Sequence, residues 1–256
     1  MKYEILGPLR VLDDNAYTSI SARKVEITLA VLLIRADHVV SFDQLVTELW
    51  GDSPPRRVAA GVHVHISQLR KFLHRPDRAD NPIVTHPRGY LLKLGNDELD
   101  FRHFLRLCES GRGLVREERW AEAADCLERA LGLWRGPVLR DLGNGPIIDG
   151  FAAWLMESRL ECLELLADCW LQLGRHRELV AQLYSLIAEY PLRETFYRRL
   201  MLALYRSDRQ ADALEVYRRA RRTLHDELGL EPCRALQDLQ RAILSSPRQL
   251  DLLAAG

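Results

Sequence analysis

The pattern of apolar and polar residues changes twice along the chain. Near the N-terminus, short apolar runs are separated by turn residues, which predicts short strands. Helical spacing and one hairpin pattern follow, and beyond residue 96 the pattern is that of long helices alone. The predicted strands are Tyr3–Leu6, Leu9–Leu12 and Tyr17–Ile20. The predicted domains are an α+β domain at residues 1–96, an all-α domain at residues 97–245 and a tail at residues 246–256.

Three helices are predicted in the α+β domain. Ser21 is the expected N-cap of the first helix and Ser41 that of the second, which covers Phe42–Trp50. The third helix is expected at about Arg57–His74. The first helix buries an apolar stripe made of Val25, Leu29, Leu32 and Leu33, and the third one made of Val58, Val62, Ile66, Leu69 and Leu73.

A hairpin is predicted after the third helix. Two alternating apolar runs between Ile83 and Leu94 flank a turn that contains Gly89. We expect the short extended segment Val39-Val40 to pair with this hairpin. Three helices followed by a hairpin with Arg88 near its tip are typical of a winged helix, in which the third helix reads the DNA major groove and the hairpin is the wing.

The third helix is basic and contains no acid. No Asp or Glu occurs between Asp52 and Asp77. Opposite its apolar stripe, at about 100° per residue, the helix presents a face made of His63, Val64, Ser67, Gln68 and Lys71. Such a face suits DNA, because Ser and Gln reach base edges, Val contacts a thymine methyl and Lys neutralises phosphate. The alternative is a solvated amphipathic helix that happens to be basic.

Five further residues near this helix have candidate DNA contacts. Arg56 and Arg57 lie at its start, where the helix dipole disfavours cations, so phosphate contact is the preferred interpretation. His65 could reach the DNA backbone or pack against the sheet. Arg70 could reach the backbone or form a salt bridge to the first or second helix. Trp50 could donate its indole N–H to a phosphate, or belong to the core.

The charge is unevenly distributed, although the net charge is +0. The whole chain contains 36 Lys+Arg and 36 Asp+Glu. Residues 1–96 contain 13 Lys+Arg and 10 Asp+Glu, which leaves 23 Lys+Arg and 26 Asp+Glu for the remaining residues. The two parts therefore differ in sign, at +3 and −3. A basic excess in the part that holds the basic helix favours local contact with nucleic acid.

Nothing in the sequence predicts catalysis or a cofactor. There is no nucleophile–base spacing, paired-carboxylate signature or Gly-rich Lys-Ser/Thr phosphate loop. His63 and His65, with His74 and His86 nearby, come nearest to a metal-ligand pattern. Positions two apart on a helix diverge and no cysteine lies close, so no metal site is predicted.

The sequence also predicts a cytoplasmic location without a membrane partner. No apolar run approaches the roughly 18 residues of a membrane span, and the N-terminus lacks a signal-peptide pattern. The five cysteines form no Cys-x-x-Cys pair, which favours buried thiols in a reducing compartment.

The all-α domain contains an internal repeat. Arg175–Leu183 aligns with Arg209–Tyr217 at an offset of 34 residues, and Arg119–Leu127 has the same form. This period is that of tetratricopeptide helix pairs, whose stacked array commonly binds proteins. The predicted helices are Phe101–Arg116, Trp120–Trp134, Phe151–Leu173, His176–Tyr190, Glu194–Tyr205, Gln210–Leu228 and Pro232–Leu244, with a loop at Arg135–Gly150.

The α+β domain resembles the effector domain of OmpR-type response regulators. The resemblance is carried by Leu45–Gly51, Val64–Leu73 and Arg88-Gly89-Tyr90-Leu91-Leu92. That family usually has an Arg-Gly-x-Gly-Tyr wing, which is shorter here. The resemblance implies a minor-groove role for Arg88 and a four-stranded N-terminal sheet, of which the pattern shows three strands.

The order of the two domains resembles the Streptomyces antibiotic regulatory protein (SARP) family, in its small, single-regulator class. Its second part is the bacterial transcriptional activation domain, which Ala130–Leu139, Leu192–Glu194, Leu202–Arg206 and Asp226–Pro232 resemble. The resemblance implies a nucleoid-associated activator that binds promoter direct repeats near the −35 element beside a second protomer, recruits RNA polymerase holoenzyme and controls antibiotic biosynthesis. The alternative is an adaptor or ligand sensor with weak or regulated DNA binding.

Overall fold

The computed structural model describes residues 1–13, 16–18, 20, 22–75, 80–143 and 145–245. Among them are seven strands: β1 (Lys2–Glu4), β2 (Arg10–Asp13), β3 (Ala16–Thr18), β4 (Val39–Ser41), β5 (Ile83–His86), β6 (Gly89–Leu92) and β7 (Glu98–Leu99). The same residues form ten helices: α1 (Arg23–Ile34), α2 (Phe42–Trp50), α3 (Val58–Phe72), α4 (Asp100–Arg116), α5 (Trp120–Leu131), α6 (Pro146–Gln172), α7 (His176–Glu189), α8 (Glu194–Tyr205), α9 (Gln210–Leu228) and α10 (Arg234–Ser245). The predicted fold class, an α+β part followed by helices, is confirmed.

Two compact units can be distinguished by packing. Unit 1 comprises Met1–Glu109 and Arg129–Leu160, and unit 2 comprises Ser110–Glu128 and Glu161–Gly256. Unit 1 thus contains the three-helix and hairpin part together with residues from beyond position 96. The predicted domain boundary after residue 96 stays a prediction, and the tail at residues 246–256 lies outside the described residues.

Two sheets belong to unit 1. The first has the strand order β3-β2-β1-β7, in which β1 and β2 are antiparallel and β7 runs parallel to β1 with Tyr3 opposite Leu99. Strand β7 was not predicted, because two residues are too short to show an alternating pattern. The second sheet has the order β4-β6-β5, with Val40 opposite Tyr90. The expected pairing of Val39-Val40 with the hairpin is therefore confirmed.

The helix starts in the first half of unit 1 follow from local chemistry. Helix α2 begins with a capping box, since the Ser41 hydroxyl accepts from the Gln44 N–H at 3.1 Å and the Gln44 side chain accepts from the Ser41 N–H at 2.9 Å. The predicted cap Ser21 lies outside the described residues. The predicted stripes are buried, apart from Val58, which is half-buried.

Asp100 joins the start of α4 to the N-terminal sheet. Its buried carboxylate accepts from the backbone N–H of Ile5 at 2.9 Å and of Leu6 at 3.0 Å. Burial raises the pKa of Asp100, while the N–H groups of Ile5 and Leu6 and the guanidinium of Arg135 oppose that rise. Asp100 therefore fixes two segments of unit 1 that are far apart in the sequence.

The predicted loop at Arg135–Gly150 is wrong at its C-terminal end, because α6 begins at Pro146. Proline is favoured in the first turn of a helix, where its missing N–H has no intrahelical partner. The buried carboxylate of Glu48 on α2 accepts from the next two backbone N–H groups, of Ile147 at 2.8 Å and Ile148 at 2.9 Å. A Cβ at position 145 would lie 2.4 Å from a Glu48 oxygen, so glycine is needed for this approach.

Unit 2 is built from successive helices that pack on one another. Helix α8 contacts α7, α9 and α10, and its buried Arg199 donates to both carboxylate oxygens of Asp168, at 2.8 and 2.7 Å. Cys233 is exposed, against the expectation that all cysteines are buried, whereas the other four are buried. None of the helices within the described residues has the length and apolar character needed to cross a membrane.

Candidate nucleic-acid interface

The outward face of α3 is formed by the residues that the helical pattern placed there. Its described side chains are exposed, including Val64 at 53% of its full exposure. Helix α3 contains no acid along its length. The exposed set is Ala59, Ala60, His63, Val64, Ser67, Gln68 and Lys71.

The opposite side of α3 holds this face in place. Val62, Ile66 and Leu69 are almost fully buried, and α3 packs on α1, α2 and β5. Burying three such side chains stabilises the helix by several kcal/mol, at about 1.5–3 kcal/mol each. Because the outward side chains contribute little to this packing, their chemistry is free to serve recognition.

The N-terminus of α3 is surrounded by cations rather than acids. Arg57 is its N-cap residue and makes no side-chain capping hydrogen bond, and the first turn holds no acidic residue. Arg56 and Arg57 are both exposed. The backbone N–H groups and these two guanidinium groups together produce a positive potential at the start of the helix, which favours an anion.

Arg70 links α3 to the wing. Its Nε donates to the carbonyl of Ile83 at 3.1 Å and its Nη2 donates to the Thr85 hydroxyl at 2.8 Å. The side-chain N–H of Asn81 donates in turn to the Arg70 carbonyl at 2.9 Å. The side-chain contacts of Arg70 go to β5. Among the described residues, Arg70 forms no salt bridge to α1 or α2, which was the alternative interpretation. Arg70 orients the wing relative to the helix.

Trp50 of α2 stacks on His65 of α3, and Lys24 lies over the Trp50 ring. Their ring centroids lie 6.0 Å apart at an interplanar angle of 21°, and the Lys24 ammonium lies 4.4 Å from the Trp50 ring centroid. Burial, and then the charge of Lys24, lower the pKa of His65. A Cβ at Gly61 would lie 3.3 Å from the Trp50 ring. Trp50 and His65 therefore pack against each other at this edge, where both side chains are half-buried.

Lys24 was missed by the sequence reasoning. Its position in the first turn of α1, directly after Arg23, is a basic pair that could have drawn attention. Only packing reveals that this turn lies beside Trp50, because the two residues are far apart in the sequence. Lys24 adds a cation at the edge of the α3 face.

The wing presents Arg88 at its tip. Strands β5 and β6 are joined by Pro87-Arg88, with His86 opposite Gly89. Arg88 is exposed, and its carbonyl accepts from the Phe42 N–H at 3.2 Å. A Cβ at Gly89, whose φ is +155°, would lie 2.0 Å from the Val40 carbonyl oxygen, so only glycine allows β4 to approach here.

The cations of this surface differ in whether they have acidic partners. Arg75 forms an ion pair with Asp13 and is largely buried, so it is not part of the exposed face. Within the described ranges, Arg56, Arg57, Lys71 and Arg88 form no ion pair with a carboxylate. Arg78 lies outside those ranges. Four uncompensated cations therefore border one acid-free helix face.

No metal centre was found at this surface. Among the residues that the structure describes, no group of three or more His, Cys, Asp or Glu side chains is placed to hold a metal ion. The surface instead combines hydrogen-bonding, small and cationic side chains on the exposed face of one helix, which is the chemistry used to contact duplex DNA.

Two family models match this chain. One, described as "Transcriptional regulatory protein, C terminal", matches residues 18–92, and the other, "Bacterial transcriptional activator domain", matches residues 99–244. Together the two matches include every element from α1 to β6 and from α4 to α9.

Several relatives have similar sequences and one has a similar solved structure. The Streptomyces coelicolor "Transcriptional regulator RedD" is 39% identical, over 100% of this chain and 73% of the relative. The Streptomyces peucetius "Regulatory protein DnrI" is 35% identical, over 98% of this chain and 94% of the relative. The Mycobacterium tuberculosis EmbR structure, solved in complex with a low affinity phosphopeptide, has a TM-score of 0.91 and 33% identity, over 100% of this chain and 69% of that one.

These findings agree with the geometry of the α3 face. The matched relatives are named as regulators and not as enzymes. In this chain the match to the transcriptional regulatory domain precedes the match to the activator domain. The chain therefore belongs to the Streptomyces antibiotic regulatory protein (SARP) family of transcriptional regulators.

Proposed function

We propose that this protein is a sequence-specific, DNA-binding transcriptional activator that docks α3 in the major groove. The observation that carries the proposal is the acid-free, exposed face of α3, bordered by cations that have no acidic partner among the described residues. A helix of this width fits the major groove of B-DNA, where each base pair presents a distinct set of donors and acceptors.

Each side chain of the interface has a chemical role in this proposal. His63, Ser67 and Gln68 hydrogen-bond to base edges, and Val64 contacts a thymine methyl group. The phosphate contacts come from Arg56, Arg57 and Lys71. Arg88 enters the minor groove from the wing tip, at a distance from α3 that Arg70 maintains through β5. His65 and Trp50 support the helix from behind.

The helical part would supply the output. We propose that the protein binds direct repeats near a promoter −35 element as neighbouring protomers and recruits RNA polymerase holoenzyme to genes of antibiotic or other secondary-metabolite biosynthesis. The match of residues 99–244 to a transcriptional activator domain supports this proposal, as do the regulators among its relatives. Such an activator would work in the cytoplasm, associated with the nucleoid.

The test is a footprint of the full chain on DNA from upstream of the neighbouring gene cluster. We expect protection of two direct repeats in phase on one side of the duplex, since one α3 reads each repeat. The triple variant Lys71→Ala, Gln68→Ala, Arg88→Ala should lose this footprint. A matched variant at exposed residues of unit 2, Arg218→Ala, Gln182→Ala, Arg222→Ala, should keep it.

An unchanged footprint in the first triple variant would overturn the role of α3. If the wild-type chain protects no DNA but binds a protein through its helical part, the adaptor alternative is favoured instead. Transcription in a purified polymerase system, started from the protected promoter, then separates recruitment from DNA binding. Binding without stimulation of transcription would contradict the activator proposal.

A further inference from the structure

A cavity in unit 1 lies outside the α3 face and has no role in the proposed DNA contact. Its volume is about 740 Å³, within the range of small-molecule sites. Its lining comes from α1, α2, α4 and α6, all within unit 1. The lining includes Ile34, Arg35, Phe101, Ile147, Phe151 and Trp154.

The lining of this cavity is aromatic. The Phe101 and Phe151 rings meet edge to face, with centroids 5.0 Å apart and an interplanar angle of 80°. The Phe151 and Trp154 ring centroids lie 5.7 Å apart at an interplanar angle of 45°. Both phenylalanines are nearly buried, whereas Trp154 is 48% exposed. A half-exposed indole beside an open apolar cavity leaves aromatic surface for a ring to stack on, and burying that surface would favour binding.

One side of the cavity is cationic. Arg35 also lines a smaller cavity of about 340 Å³, which shares Ile34 and Gln44 with the larger one and contains His38 and Arg102. Arg102 is engaged by Asp37 at 3.0 Å, whereas Arg35 is exposed and forms no ion pair within the described residues. Asp43 contributes a carboxylate to the lining of the larger cavity, but it does not line the smaller cavity on the Arg35 side. An anionic group of a ligand would therefore lie towards Arg35.

We propose that this cavity binds a planar aromatic small molecule that carries one anionic group. The rings would stack on Trp154 and Phe151, and the anion would pair with Arg35. Its walls come from both matched family segments, since Arg35 belongs to residues 18–92 and Trp154 to residues 99–244. Glu48 already joins the same two segments by accepting from Ile147, which lines the cavity. Arg102 joins them as well, through Asp37 at 3.0 Å. A bound ligand would add a further link between the two segments.

The test uses two fluorescent probes with the full chain and no DNA, so that its outcome is independent of the proposed function. Anilinonaphthalene sulfonate has an aromatic body with one anionic group, and phenylnaphthylamine has the same body without the charge. We expect saturable binding of the sulfonate at one site per chain, measured by fluorescence titration and confirmed by calorimetry. Failure to bind either probe at one defined site would overturn the proposal.

A matched pair of glycine substitutions locates the site. Gly150 lines the cavity and a Cβ there meets nothing within 4 Å, so Gly150→Leu fills the cavity without a backbone clash. Gly113 on α4 is equally open but does not line the cavity, so Gly113→Leu is the control. We expect Gly150→Leu to weaken sulfonate binding by about tenfold or more, equal to about 1.4 kcal/mol, and Gly113→Leu to leave it unchanged.

Two further variants test the wall and the charge. Thr47→Trp fills the cavity from α2 and should repeat the effect of Gly150→Leu, which keeps the test valid if one variant folds poorly. Arg35→Gln should weaken binding of the sulfonate about five- to tenfold and leave the neutral probe unaffected. If Gly150→Leu and Thr47→Trp both bind the sulfonate as tightly as the wild-type chain, the probe does not bind in this cavity and the proposed site is wrong. If Arg35→Gln weakens binding of both probes equally, Arg35 does not pair with an anionic group of the ligand.

Discussion

Four cations of the α3 surface and five arginines of unit 2 differ in whether a carboxylate lies beside them. On the surface around α3, Arg56, Arg57, Lys71 and Arg88 have no carboxylate partner within the described residues. In unit 2, five arginines pair with acids three to ten residues away in the sequence; the pairs are Arg119–Glu122, Arg175–Glu178, Arg209–Asp212, Arg218–Glu215 and Arg221–Glu231.

This difference shows how a chain of zero net charge can carry a cationic face. Pairs formed along one helix neutralise each other locally, and the Arg175 guanidinium accordingly lowers the pKa of Glu178. Such exposed pairs contribute little to stability. Arg56, Arg57, Lys71 and Arg88 have no carboxylate partner in the part of the chain that the structure describes, so their electrostatic field extends into solvent, where a polyanion can use it. Total charge therefore says less about a partner than the pairing of each charge does.

The largest expected effect separates buried from exposed acids. Asp100→Ala should lower the free energy of unfolding by about 2–4 kcal/mol, because the buried N–H groups of Ile5 and Leu6 lose their acceptor. Urea denaturation followed by circular dichroism measures this loss. The control Glu178→Ala removes an exposed partner of Arg175 and should leave stability unchanged within error. If Asp100→Ala and Glu178→Ala lower the free energy of unfolding equally, burial does not decide how much an acid contributes to stability.

The next effect tests the uncompensated cations directly. The double variant Arg57→Ala, Lys71→Ala should reduce the slope of log affinity against log salt by about two, and weaken operator binding on the order of 10- to 100-fold. Fluorescence anisotropy over a salt series gives both quantities.

The control for this prediction is the double variant Arg218→Ala, Arg222→Ala, which removes two cations that both pair with Glu215. It removes the same formal charge and should retain the wild-type slope. If both double variants change the slope alike, net charge rather than the α3 surface governs binding.

A smaller effect distinguishes base reading from phosphate contact. Gln68→Ala should remove about 1–3 kcal/mol of discrimination between the protected repeat and a repeat changed at one base pair. Affinity for unrelated DNA should stay unchanged, because Gln68 carries no charge. Competition binding with a panel of altered repeats measures this. The exposed Gln182→Ala of α7 is the control, and a uniform loss across the panel would contradict a base contact.

The smallest expected effect concerns the two histidines with altered pKa, one in each unit. Burial lowers the pKa of His65, helped by Lys24, and likewise that of His176, helped by Arg206. The unfolded chain then binds protons more tightly than the folded chain. The contribution of each uncharged histidine to stability is therefore fully present above the unfolded pKa of about 6.5. This contribution is lost as the pH falls through the folded pKa, because protonation then favours the unfolded chain.

His65→Asn and His176→Asn should each reduce the decrease in the free energy of unfolding at low pH, by less than about 1 kcal/mol. Chemical denaturation between pH 7 and pH 5, values on either side of about 6.5, checks the prediction. A wild-type curve and a variant curve that run parallel throughout would show that the histidine does not contribute.

Much of the fold could be predicted because its signals are local. The buried stripes of α1 and α3, the Ser41 cap and the bounds of α8 and α9 all follow from helical periodicity and capping chemistry. The exposed side chains of α3 are likewise the complement of its buried stripe. Their role in binding DNA remains a prediction.

Other features could not be predicted because their partners are distant in sequence. Strand β7 is too short to show a pattern and forms only beside β1. The start of α6 at Pro146 depends on Glu48, about 100 residues earlier, which accepts from the N–H groups of its first turn. The alternative for Arg70, a salt bridge to α1 or α2, is not observed for the same reason, since the acceptors of its side chain lie on β5.

The sequence by itself determined which side chains α3 presents, because helical geometry assigns each position to a face whatever surrounds the helix. It also determined that this helix has no acid. Tertiary structure alone decided which cations remain uncompensated, that Lys24 lies over Trp50 and that Arg70 orients the wing. The physical reason is that charge pairing and polar contact act over a few ångströms, and only packing brings distant segments within that range.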